Sequence, residues 1–179
     1  MDLFLRLFWL YILRKICAIF LHIFSYKVTH DAIRRYDPNH LILGDRYDAR
    51  QPIAEEVIMA AKPYVDVLSF QHFAPPEKIV QNLNYWHQLT NMPTLVADSA
   101  QNQGIKGTAY KTHHPEKYQR MYELLKRESS CIGYHLCGAY MANRQRKKGL
   151  LNENDERVQN VLDKMTLVHK DMKRWMENY

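Results

Sequence analysis

Asp98 closes the apolar run Pro93-Thr94-Leu95-Val96-Ala97-Asp98-Ser99. A carboxylate at the end of a buried strand is a candidate for nucleophilic or acid–base work. Three further runs end in the same manner. Leu41-Ile42-Leu43-Gly44 leads into Asp45-Arg46, Val65-Asp66-Val67-Leu68-Ser69-Phe70 into Gln71-His72, and Cys131-Ile132-Gly133-Tyr134 into His135. Carboxylate, guanidinium, amide and imidazole groups together supply charge, hydrogen bonds and proton transfer. In α/β proteins such groups gather at the carboxyl ends of parallel strands, where chemistry is done. A metal centre is a weaker reading. His135 and Cys137 offer two ligands, but no CxxC or HxxxH completes the set, so neither metal nor cofactor is expected.

The elements that must position these groups alternate in type. A short helix is expected over 28–36, ended by Asp37-Pro38-Asn39, and a strand over 41–45 follows it. A polar loop over 46–52 leads to a helix over 53–61, with Ile53, Val57, Ile58 and Ala61 on one face. A strand over 64–71 comes next, then a helix opened by Pro75-Pro76 and running to residue 89. The strand over 94–98 is followed by a long loop over 99–114, where His113-His114 reads as loop and helix start, and by a helix over 115–128. The strand over 131–136 and a last helix over 155–176, with Asp155 as its N-cap, complete the order α-βα-βα-βα-βα.

Crossovers of this length favour parallel pairing with right-handed connections. Half of a (β/α)8 barrel and a small doubly wound sheet both fit. The barrel is preferred, because neither GxGxxG nor GxxxxGK[ST] occurs to cradle a phosphate. The fold class is therefore α/β, a partial TIM (β/α)8 barrel of about four C-terminal strand–helix units.

The chain has 179 residues, 46% apolar and 25% charged, enough for one domain with a core. The net charge of +6 is dispersed apart from Arg144-Gln145-Arg146-Lys147-Lys148, a run without interleaved aromatics, so no nucleic-acid partner is expected. Cys17, Cys131 and Cys137 are too few for a disulfide framework.

Residues 3–24 differ from the rest. They are almost continuously apolar and, at about 22 residues, match a hydrocarbon core in length. Arg6, Arg14, Lys15 and His22 interrupt them, and a cation near a bilayer centre costs about 2.5–3.5 kcal/mol. Three readings stay open: a signal anchor or membrane-surface helix, a buried helix of a larger domain, and a leader foreign to the domain. The division is residues 1–25, an apolar helix, and residues 26–179, a half-barrel domain. Localisation is left undetermined, with membrane association through residues 3–24 as one outcome.

The runs already quoted carry a resemblance. Ala32-Ile33-Arg34-Arg35-Tyr36-Asp37-Pro38-Asn39-His40-Leu41-Ile42-Leu43-Gly44-Asp45-Arg46 resembles the fifth-strand region of clan A glycoside hydrolases, agarase-like and β-galactosidase-like members in particular. Ala61-Lys62-Pro63-Tyr64-Val65-Asp66-Val67-Leu68-Ser69-Phe70 looks like the sixth strand, and Met92-Pro93-Thr94-Leu95-Val96-Ala97-Asp98 like the seventh. Gly133-Tyr134-His135-Leu136-Cys137-Gly138 looks like the eighth, and Lys148-Gly149-Leu150-Leu151-Asn152-Glu153-Asn154 like the segment that follows it. The resemblance covers residues 28–177 in order.

It implies a polysaccharide or oligosaccharide substrate, with Asp98 at the position of the catalytic nucleophile. Asp45, Arg46, Gln71, His72, His135, Asn143 and Arg144 become substrate-binding candidates. Two departures stand out. The family carries glutamate where this chain has Asp98, and a retaining mechanism wants its carboxyl groups about 5–5.5 Å apart. The acid/base glutamate, borne after an asparagine on the fourth strand, has no counterpart before Leu41, and Asn152-Glu153 lies elsewhere. Leu136 also replaces a sugar-stacking tryptophan. The expectation is a glycosidase fragment inactive alone, which self-associates to cover two open barrel edges. The alternative is a membrane-anchored, non-catalytic half barrel that binds carbohydrate or protein.

Overall fold

The structure, a computed structural model, describes residues 3–138 and 147–178. In chain order its elements are α1 (Leu3–Tyr36), β1 (Arg46–Asp48), α2 (Glu55–Ala61), β2 (Leu68–Gln71), α3 (Pro76–Thr90) and β3 (Thr94–Ser99). A hairpin follows, β4 (Asn102–Gly104) and β5 (Lys111–His113), then α4 (Pro115–Leu125), β6 (Cys131–Leu136) and α5 (Gln159–Glu177). β1, β2, β3 and β6 lie side by side in that order, all parallel, and β4 pairs antiparallel with β5. The molecule is thus α/β, with helices alternating with a parallel sheet.

Local rules explain most of these elements. α3 starts with Pro76 in its first turn, buries Ile79, Leu83 and Trp86 on one face, and stops where Asn91 takes φ 56°. Tyr118, Met121 and Leu125 of α4 recur at the same helical spacing, as do Val161, Met165 and Val168 of α5. Phe70 on β2 is fully buried and stacks on Trp86 with ring centres 6.1 Å apart, joining sheet to helix. The Tyr118 hydroxyl and His169 Nε2 share a hydrogen bond of 2.6 Å that ties α4 to α5.

Several elements differ from expectation. The helix expected over 28–36 is the last part of a single 34-residue α1, which runs straight through residue 25. The strand expected over 41–45 is displaced to β1, inside the supposed loop. Gly44 sits at φ +64° and breaks the extended run. The Ile42 N–H donates to the Asp66 carboxylate and the Ser69 hydroxyl bonds the Leu43 and Asp45 carbonyls, so side-chain bonds take the place of part of the ladder here. β2 starts at Leu68 rather than 64, and α2 starts at Glu55 rather than 53. The loop over 99–114 contains the β4–β5 hairpin. α5 begins at Gln159 after Val158, and Asp155, at φ 62°, belongs to a turn before it.

α1 is long and apolar enough to cross a membrane, and its most apolar stretch is not buried in the domain. Among its described buried or partly buried positions, Ile12, Ile19, Ile23, Tyr26 and His30 recur along one face, beside α2 and β1.

Candidate active site

The strand register decides which groups meet. Arg46 opposes Ser69, which opposes Leu95, while Phe70 opposes Val96 and faces the helices. Side chains alternate along a strand, so Arg46, Ser69 and Leu95 lie on the other face, which is buried at Ser69 and Leu95 and open at Arg46. Strict alternation would put Asp98 on the helix side with Val96. It does not lie there, because β3 carries an extra residue. Gln71 opposes Asp98 rather than Ala97, and Ser99 opposes Leu136 when Val96 opposes Tyr134. This bulge at Ala97 turns Asp98 to the open face beside Gln71 and buries Ser99 instead.

On that face Asp98 stands among partners. Arg46 Nη1 donates to Asp98 Oδ2 at 3.3 Å, with Asp98 mostly covered and Arg46 largely exposed. Gln71, with its amide oriented by its neighbours, donates to Asp98 Oδ2 at 3.2 Å and accepts from Arg50 at 3.1 Å. Arg50 in turn grips Asp48 with a fork, Nε to Oδ1 at 2.8 Å and Nη2 to Oδ2 at 2.6 Å. That fork holds the Asp48 carboxyl down at about 2. The Arg50 guanidinium also lies 5.6 Å from the Phe73 ring centre, and Lys148 Nζ lies 5.9 Å from the same ring. The result is a polar chain, Arg46–Asp98–Gln71–Arg50–Asp48, across the carboxyl ends of three strands.

The remaining candidates fall around this chain unevenly. Asp45 accepts the Tyr26 hydroxyl at 2.6 Å, and Tyr26 also meets the Tyr47 hydroxyl at 2.9 Å, so this carboxylate ties α1 to β1. His72 donates its backbone N–H to the Asp98 carbonyl at 3.0 Å. Its ring is buried, and burial together with the nearby Lys78 charge pushes its pKa below 6.5, so it is neutral at pH 7. His135 is exposed on the open face of β6. Asn143 and Arg144 lie outside the described residues. Asp48, Arg50, Phe73 and Lys148 were missed from sequence. The only signal was the Asp-x-Arg spacing two residues after Arg46, hidden inside a supposed loop.

Chemically, the chain offers donors and acceptors suited to vicinal hydroxyls, and two carboxylates on the open face, Asp48 and the more covered Asp98. Of the two, Asp48 is a poor proton donor, since a general acid needs a raised pKa. Among the described residues no group of three or more His, Cys, Asp or Glu is assembled to hold a metal. Cavities of about 330–660 Å³ lie between helices and beside α1, and Asp98 lines none of these.

Neither a protein-family model nor a curated protein matches the sequence. Among solved structures, the chain is similar to an exo-β-agarase over 86% of its length, at 20% identity and a TM-score of 0.69. A second agarase matches over 86% at 18% identity, with the same TM-score. A β-D-glucuronidase from Dictyoglomus thermophilum matches over 84%, at 18% identity and a TM-score of 0.53. The chain spans only 22%, 24% and 28% of these proteins. At such identities the likeness is one of fold. These neighbours are TIM-barrel glycoside hydrolases, and a partial barrel fits the α/β architecture.

Proposed function

We propose that the chain is the C-terminal half of a glycosidase-type barrel, with strand units five to eight, whose open face binds a poly- or oligosaccharide around Asp98. The observation that carries this reading is the bulge at Ala97, which delivers Asp98 to Arg46 and Gln71 at the strand ends. Bulges that re-aim a side chain are common beside active sites. The agarase and glucuronidase neighbours support a glycan as ligand.

Hydrolysis of a glycosidic bond needs an acid as well as a nucleophile or base. Asp48 is held ionised by Arg50 and Asp45 is engaged with Tyr26, so neither suits the acid role. The chain by itself is therefore expected to bind sugar without cleaving it. This same pair of observations favours the second reading, a half barrel that serves as a non-catalytic binding module. Self-association across the β1 and β6 edges remains part of the proposal: the contacts of α1 with Tyr47 and of α5 with Tyr134 and Leu136 are made on the helix-bearing face of the sheet.

The test is calorimetric titration of the full chain with agaro-oligosaccharides and β-glucuronides, alongside a reducing-end assay. Binding without turnover is expected, weakened about tenfold or more in Asp98→Asn. Absence of binding to either glycan class, or binding indifferent to Asp98→Asn, would overturn the site. Turnover abolished by Asp98→Asn would restore the catalytic reading.

A further inference from the structure

We infer that α1 is a docking surface for an anionic membrane, lying in the plane of the headgroups rather than crossing the bilayer. Two faces of the helix lead to this. Ile12, Ile19, Ile23, Tyr26 and His30 form the face against the domain. Leu10, Leu13, Cys17, Phe20, Phe24 and Val28, spaced three and four apart, form a stripe roughly opposite. Every one of the six is exposed, Phe20 at 67% and Phe24 at 68%. The stripe runs about 27 Å along the helix at about 1.5 Å per residue.

Crossing is disfavoured by where the domain takes hold. Among the described side chains of α1, the covered ones from Ile12 to His30 share one face against the domain over about 27 Å, a contact that a bilayer-crossing helix would have to release. Drawing more of α1 into lipid would carry along Lys15 and its ion-pair partner Glu56, and would strip Ile19 and Ile23 from α2. An in-plane helix keeps these contacts and sinks only the outward stripe.

Charge selects the occupant. Between residues 3 and 36 there are six basic residues against one acidic, Asp31; Lys15, Lys27 and Arg34 pair with Glu56, Asp31 and Asp66, and Arg6, Arg14 and Arg35 add to the positive charge of the helix. A second copy of α1 packed on the stripe would oppose like charges, whereas an anionic lipid surface attracts them. The inference is independent of the sugar site, whose residues lie on the sheet's open face.

The experiment is co-sedimentation of the full chain with vesicles of phosphatidylcholine alone or with about one-third phosphatidylserine. At least about tenfold tighter binding to the anionic vesicles is expected, reversed by raised salt. Trp9, exposed near the start of α1, should be quenched by brominated acyl chains. Leu13→Glu with Phe20→Glu, both at exposed sites, should abolish binding while far-UV circular dichroism stays unchanged. Equal binding to both vesicles, or none, would overturn the inference. So would undiminished binding by the double variant, retention through alkaline carbonate extraction as a spanning helix, or a dimer in buffer that the double variant dissociates.

Discussion

Gly44→Ala tests how β1 is delivered to the site. Gly44 holds φ +64°, and a Cβ built on it would lie 2.7 Å from Val65 Cγ1. Two penalties follow. An L-residue in the left-handed region costs about 1–2 kcal/mol relative to glycine. Relieving the overlap with Val65, itself 9% exposed and packed in the core, costs about 1–3 kcal/mol by analogy with other overpacked sites. The sum, about 2–5 kcal/mol, is a large part of a typical stability of about 5–15 kcal/mol. With a urea dependence of about 2 kcal/mol per molar, the unfolding midpoint should fall by about 1–2.5 M. The double variant Gly44→Ala/Val65→Ala separates the terms. It should be at least about 1 kcal/mol more stable than the sum of the single effects, because truncating Val65 removes the overlap. The consequence for function is measurable too. A shifted residue 44 moves Arg46 away from Asp98, so glycan affinity should drop with stability. A Gly44→Ala midpoint within about 0.3 M of wild type would refute the argument, since the kink would then be dispensable.

Other consequences are shorter to state. Phe70→Ala removes a fully buried ring stacked on Trp86 and should destabilise by about 3–5 kcal/mol, read by urea denaturation. The Asp66 carboxyl is held below its usual 3.8 by the Ile42 N–H, with Arg34 adding to the effect. Its folded value is therefore the lower one, so its stabilisation is present above pH 3.8 and disappears as pH falls through the folded value. Stability profiles should decline on acidification below pH 3.8, and Asp66→Asn should flatten that limb. Arg50→Ala should let the Asp48 carboxyl rise from about 2 toward 3.8, visible by carbon-13 NMR titration.

The amino-acid sequence alone determined the order of alternating helices and strands and the apolar face of α2, where Ile58 and Ala61 are buried. It also located β3 and β6 within a residue. These are local matters of hydrophobic period, proline at helix starts and apolar runs, and they survive without knowledge of neighbours. It also singled out Asp98, Arg46 and Gln71, which the fold brings together. It did not reveal β4 and β5, whose three-residue strands, Asn-Gln-Gly and Lys-Thr-His, are too short and polar to show a period. Nor did it place β1, because Gly44 takes a left-handed turn only where Val65 and Asp66 press against it.

The face on which Asp98 lies was decided by tertiary structure alone. Counting by twos from Val96 assigns Asp98 to the helices, and one unpaired residue at Ala97 reverses that assignment. Register is a property of a strand and its neighbours together. The packing of Phe70 on Trp86 and the seating of Tyr134 and Leu136 beneath α4 and α5 set it, and the open-face cluster is the result.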